Sequence, residues 1–165
     1  MAGSERDQLL RMSSNYKVQL IPIDFPSAHT GDVYPRKIVE EAIERARPNV
    51  EAGLLVGSLL TRVMMPNMPE KEEMEITDEE YEIIKLRNAV NYLTCKVSRV
   101  SHVVKKFEID EDALYASITV LDTGAGRQLI QNKNVVKWVA VGEIEVVGGI
   151  VRHIDNIVSV DAMIE

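Results

Sequence analysis

Residues 97–164 constrain the fold more than any other part of the chain, because strand signals, turn chemistry and one short helix follow one another there in a fixed order. Val-Ser-His-Val-Val-Lys-Lys-Phe-Glu-Ile at 100–109 lies within a β-branched run over 97–110. The polar corner Asp110-Glu-Asp112 separates it from a second run over 113–121. This predicts two strands joined by a tight turn. Residues 124–131 read as a short helix, with Asp122 or Thr123 available as its N-cap and Asn132-Lys-Asn134 closing it. Residues 135–147 are apolar and β-rich, Gly148-Gly149 marks a hairpin turn, and 150–164 form a last strand region.

The remainder adds a shorter strand and a helix. Residues 16–21 alternate Val18 and Leu20 against Lys17 and Gln19, and Pro22, with no backbone donor, ends that strand or holds it at a sheet edge. A loop over 25–34 leads to Pro35, which suits the first turn of a helix running to about Arg47 with Ile38, Val39, Ala42 and Ile43 inward. Residues 49–60 read as another strand region. The expected fold class is α+β, a mainly antiparallel β-barrel with two or three flanking helices. It is expected to form a single domain over 15–165 behind a flexible N-terminal arm over 1–14.

Charge is unevenly placed. Residues 70–82 carry eight acids and one lysine, a local charge of −7 that equals the net charge of all 165 residues. Thr77-Asp-Glu-Glu80 has capping-box spacing, so this stretch reads as a solvated loop entering a helix ahead of Tyr81, Ile84 and Leu86. Docking against a basic partner is the second reading. The only basic clusters are Lys105-Lys106 and Arg36-Lys37, too small for a phosphate-neutralising surface, and no nucleic-acid partner is expected. No apolar run approaches the ~20 residues that span a bilayer, and no membrane partner is expected. The N-terminal residues resemble neither a signal nor a transit peptide.

Residues that carry chemistry are sparse. Cys95 is the single cysteine, and reads as a small buried hydrophobe or as a reactive thiol. His29 falls in a loop, His102 in a strand and His153 in the last strand, two positions from Asp155 on the same face. None has metal-ligand spacing, no phosphate loop or cysteine cluster is present, and no cofactor or metal is expected. Met64, Met65 and Met68 share a double-proline loop, where they either form an adaptable contact surface or tuck over the end of the barrel. Leu9 and Leu10 form a weak apolar spot in the arm. These five residues are the candidate interaction surface.

Several short matches carry a family resemblance. Val100-Ser-His-Val-Val-Lys-Lys106, Leu121-Asp-Thr-Gly-Ala-Gly126, the strand ending near Val139-Ala-Val-Gly142, and Ser159-Val-Asp-Ala-Met163 together resemble the prohead proteases of tailed bacteriophages, whose barrel fold is shared with the herpesvirus maturation protease. Upstream, His29-Thr-Gly-Asp-Val-Tyr-Pro-Arg36 before a helix is similar to that family's tyrosine-proline loop. The resemblance implies a histidine at the end of a strand after that helix, and a nucleophilic serine in a Ser-Ser-Arg-Gly-like segment after the short helix. The corresponding places here read Val56-Gly-Ser-Leu-Leu-Thr61 and Val139-Ala-Val-Gly-Glu143. Thr61, Ala140 and Val141 are thus degenerate protease positions. A serine is a poor nucleophile without a base, and here both members of the pair are missing.

A second resemblance is local. Thr119-Val-Leu-Asp-Thr-Gly-Ala125 looks like the active-site segment of retroviral-type aspartic proteases, in which two chains each supply an aspartate and the pair shares a proton. Asp122 would be that aspartate. Only 41 residues follow Gly124, short of the elements such a subunit needs after its aspartate, so the plainer reading is a helix cap.

Taken together, these residues lead to the expectation of a non-enzymatic virion protein, a capsid-associated or decoration subunit on an inactive prohead-protease-like fold, made in the host cytoplasm. Its partners would be the major capsid protein or other virion proteins, and a homo-oligomer is expected because long apolar strands need covered edges. The alternative is an active maturation protease cleaving capsid or scaffold proteins. A small β-barrel interaction module unrelated to phage is the third class.

Overall fold

The computed structural model describes residues 14–28, 30–61 and 70–164. The expectations for Leu9, Leu10, His29, Met64, Met65 and Met68 fall outside the described residues. In chain order the elements are β1 (Asn15–Pro22), α1 (Arg36–Glu51), β2 (Val56–Thr61), a single 3-10 turn (Lys71–Glu73), α2 (Asp78–Ser98), β3 (Val100–Asp110), β4 (Ala113–Val120), α3 (Gly124–Asn132), β5 (Val136–Val147) and β6 (Ile150–Ile164). The strands make one six-stranded sheet in the order β1-β4-β3-β2-β6-β5.

The fold is α+β as expected, but the sheet is neither a closed barrel nor purely antiparallel. β2 runs parallel to β6, with Leu59 opposite Ala162 and Thr61 opposite Ile164. The β5–β6 hairpin fixes β6 against β5, and which way the hairpin then lies beside β2 is decided by packing remote in sequence. The sheet stays open between β1 and β5. β1 is broken by a register shift between Gln19 and Ile21 and ends on Pro22, while β5 carries three such irregularities between Val141 and Val146. Bulges twist an edge strand away from a would-be neighbour, and a proline removes a donor from it.

Local chemistry explains the boundaries. Gly148 and Gly149 both have positive φ, at 61° and 77°, which a two-residue hairpin turn of the primed type requires. Thr123 caps α3, its Oγ accepting from Gly126 N. Thr77 caps α2 in the same way, accepting from Glu80 N. α1 runs through Pro48 to Glu51, so residues 49–51 are helical and β2 is shorter than the strand region expected over 49–60. Val97 belongs to the last turn of α2 and not to β3.

α1 lies against β3 and β6, burying Val39, Ala42 and Ala46; Ile38 and Ile43 flank them, partly buried. Leu59, Val104, Ile118, Leu129, Val151 and Val160, each at most 1% exposed, form the centre of the same core. At ~1.5–3 kcal/mol for each such side chain removed from water, this cluster is the main source of fold stability. No helix among the described residues is long and apolar enough to cross a membrane.

Candidate functional site: a sealed histidine beside an apolar groove

The sheet register brings distant positions into one row. Val120 is opposite His102, His102 is opposite Gly57, and Val160 is opposite Ala140. Gly57 closes the row, because a Cβ on it would overlap both the Val160 carbonyl oxygen and His102 Nε2. The imidazole therefore crosses the space that a side chain at Gly57 would occupy. It reaches the Val160 carbonyl at 2.5 Å and meets the Trp138 ring edge-on, with centroids 5.2 Å apart.

The tautomer follows from the partners. A carbonyl oxygen only accepts, so Nε2 carries the proton and donates to Val160. The other nitrogen, Nδ1, then accepts from the Ser101 hydroxyl at 2.7 Å. Burial holds the His102 pKa below the ordinary histidine value, against smaller opposing effects of the Val160 hydrogen bond and of Asp161. A serine donating to a neutral histidine is the nucleophile-base arrangement of hydrolases. Here Ser101 and His102 are both 0% exposed, and the far side of the ring is held by a backbone carbonyl. No substrate carbonyl can reach that hydroxyl.

Beside the histidine lies a polar cluster that joins α2 to the sheet. The Asp161 carboxylate, with its side chain 3% exposed, pairs with Lys96 Nζ at 2.8 Å, accepts from Ser58 N at 3.1 Å and accepts from Ser159 Oγ. Lys96 Nζ also donates to Ser159 Oγ at 2.8 Å, and Ser58 Oγ donates to the Lys96 carbonyl. A Ser-Lys dyad needs a neutral amine to take the hydroxyl proton. An ammonium paired to a buried carboxylate has no lone pair to offer, so this cluster is a clamp. Among the described residues no group of three histidine, cysteine, aspartate or glutamate side chains is placed to hold a metal ion.

The unclosed gap in the sheet forms a groove. Leu20 and Ile21 of β1 face Trp138, Ala140 and Val141 of β5 across a cavity of about 200 Å³, floored by Ile157. Ala140 and Val141 are both among the residues that line the groove, and neither carries a hydroxyl. Ser27, Thr30 and Tyr34, on the chain leading into α1, also line it. Thr30 Oγ accepts from Asp32 N, and burial and the nearby Asp32 raise the Tyr34 pKa. Thr61 ends β2 opposite Ile164, at the level where β6 pairs with Val136 and not with Ala140.

The remaining candidates sit apart from the groove. Asp122 has its side chain 78% exposed and pairs with Arg127 at 2.8 Å. Thr123, not Asp122, caps α3. His153 and Asp155 are both exposed, and their side chains share no hydrogen bond among the described residues. Cys95 is free and half-buried on α2.

No family model matches this chain, and no curated protein matches it. Among solved structures, it is similar to the capsid assembly protease gp21 of bacteriophage T4. The TM-score is 0.56 and the identity 16%, with 92% of this chain and 81% of that chain covered. At that identity the likeness establishes a shared fold.

Proposed function

We propose that this chain is a non-enzymatic capsid-associated or decoration protein built on an inactive prohead-protease-like fold. The carrying observation is Ala140, which fills the groove position that the family resemblance assigns to the nucleophile with a methyl group. The sealed histidine supports the same reading, since the Ser101–His102 pair, the one serine-histidine side-chain hydrogen bond among the described residues, is closed to substrate. The likeness to a phage capsid assembly protease supports a capsid-related setting: partners are the major capsid protein or other virion proteins, and the site of action is the capsid.

The test is direct. The purified chain, incubated with capsid and scaffold proteins of its own particle, is expected to leave them intact, and the Asp122→Ala variant is expected to behave identically. Cleavage that is lost on Asp122→Ala or on Ser101→Ala would overturn the proposal in favour of an active maturation protease.

A further inference from the structure

α2 is amphipathic in the wrong direction for a helix that packs only on its own domain. Ile83, Leu86, Val90, Leu93 and Val97 are each more than half exposed, from 53% for Val90 to 74% for Val97. None of the helix is fully buried. The partly covered positions are Tyr81, Ile84, Asn88, Tyr92, Cys95 and Lys96, which at 3.6 residues per turn centre on the opposite side of the helix. One face thus rests on the body of the protein, fastened by Lys96 to Asp161, while the more apolar face points to solvent.

The spacing of the exposed residues, alternately three and four, is that of a coiled-coil seam. Ile83, Val90 and Val97 occupy the first core position of successive heptads, and Leu86 and Leu93 the second. β-branched residues at the first and leucine at the second are what two-stranded parallel coiled coils take. The flanking charges agree. In a parallel pair, Glu82 before the first core residue faces Arg87 of the second copy, five positions on, and symmetry makes the contact twice.

We propose that α2 is a homodimerisation helix, pairing in parallel and in register with α2 of a second copy along this stripe. The inference stands independently of the capsid-related reading: a monomer would sink it and leave that reading intact.

Sedimentation of the full chain tests it. The expected mass is twice the 18.5 kDa of one chain, and Val90→Glu is expected to leave only monomer with an unchanged circular dichroism spectrum, since that side chain is exposed in the protomer. Glu82→Arg should weaken the dimer several-fold, and adding Arg87→Glu should restore it. With Cys95 replaced by serine, Val90→Cys is expected to form a disulfide-linked dimer on mild oxidation, because parallel pairing sets this position against itself. A monomeric wild-type chain, a dimer that survives Val90→Glu, or cross-linking only when Val90→Cys is mixed with Leu86→Cys would each overturn the proposal.

Discussion

Lys96 Nζ lies 2.8 Å from Asp161 Oδ2, in a pair whose side chains are 16% and 3% exposed, and this contact fastens the last turns of α2 to the centre of the sheet. Removing one partner of a buried pair strands the other charge, which costs about 3–5 kcal/mol. Asp161→Ala is therefore expected to lower stability by about that amount in urea unfolding. Replacing both residues by apolar ones of similar volume should cost far less. Equal losses in the single and double variants would show that the pair is not what anchors the helix.

Gly57 is required by the ring that crosses it. A Cβ there would overlap the Val160 carbonyl and the His102 ring, and a backbone atom cannot move aside as a side-chain end can. Gly57→Ala is expected to destabilise by about 3 kcal/mol or more, the upper range for overpacking. Thermal melts of Gly57→Ala and of Gly57→Ala combined with His102→Ala separate the two contacts; the combined variant should recover only the part due to the ring.

His102 makes stability fall with acid. Its folded pKa is lowered by burial, so below the unfolded histidine value of about 6.5 the unfolded chain binds a proton that the folded chain refuses. Stability that is full above about pH 6.5 is then lost progressively as pH falls towards the folded pKa. Urea midpoints across that window should decline for the wild type and decline less for His102→Gln. Parallel slopes for the two proteins would contradict the assignment of His102 as a neutral buried group.

Asp122 and Thr123 are neighbours with different weights. Thr123 Oγ accepts from Gly126 N and donates to Val100 O, so Thr123→Ala should cost about 1–2 kcal/mol, as lost caps do. Asp122 makes one exposed ion pair, and Asp122→Ala should stay within about 1 kcal/mol. Chemical unfolding of both variants checks the order.

Restoring a hydroxyl in the groove should not restore chemistry. Ala140→Ser places an oxygen opposite Val160, but His102 already spends both ring nitrogens on Ser101 and Val160. The variant is expected to remain unreactive towards a fluorophosphonate probe. Labelling at position 140 would mean that a base reaches the groove after all.

Local chemistry was legible and long-range packing was not. The Gly148-Gly149 turn, the choice of caps at Thr77 and Asp122 or Thr123, and the limits of β6 rest on neighbours within a few residues, and the residue types state them. The parallel pairing of β2 with β6 and the gap between β1 and β5 depend on strands more than 90 residues apart, where alternation along one strand carries no information. His102 read only as a strand histidine because its partners, Gly57 and Val160, come from two other strands. The outward stripe of α2 was present in the sequence. However, Tyr81 and Ile84 lie on the covered face and Leu86 on the exposed one, and the order of these three apolar residues behind an acidic run does not by itself say which face meets solvent. Periodicity carries α1 only to about Arg47, whereas the helix runs on through Pro48 to Glu51.

The central claim concerns a protein that remains in the particle without cutting anything. Quantitative mass spectrometry of purified mature particles, counting this chain against the major capsid protein, tests it most directly. The account predicts an intact chain in a fixed, stoichiometric ratio. Near absence from mature particles, or recovery only as fragments, would contradict it and point to a component consumed during assembly.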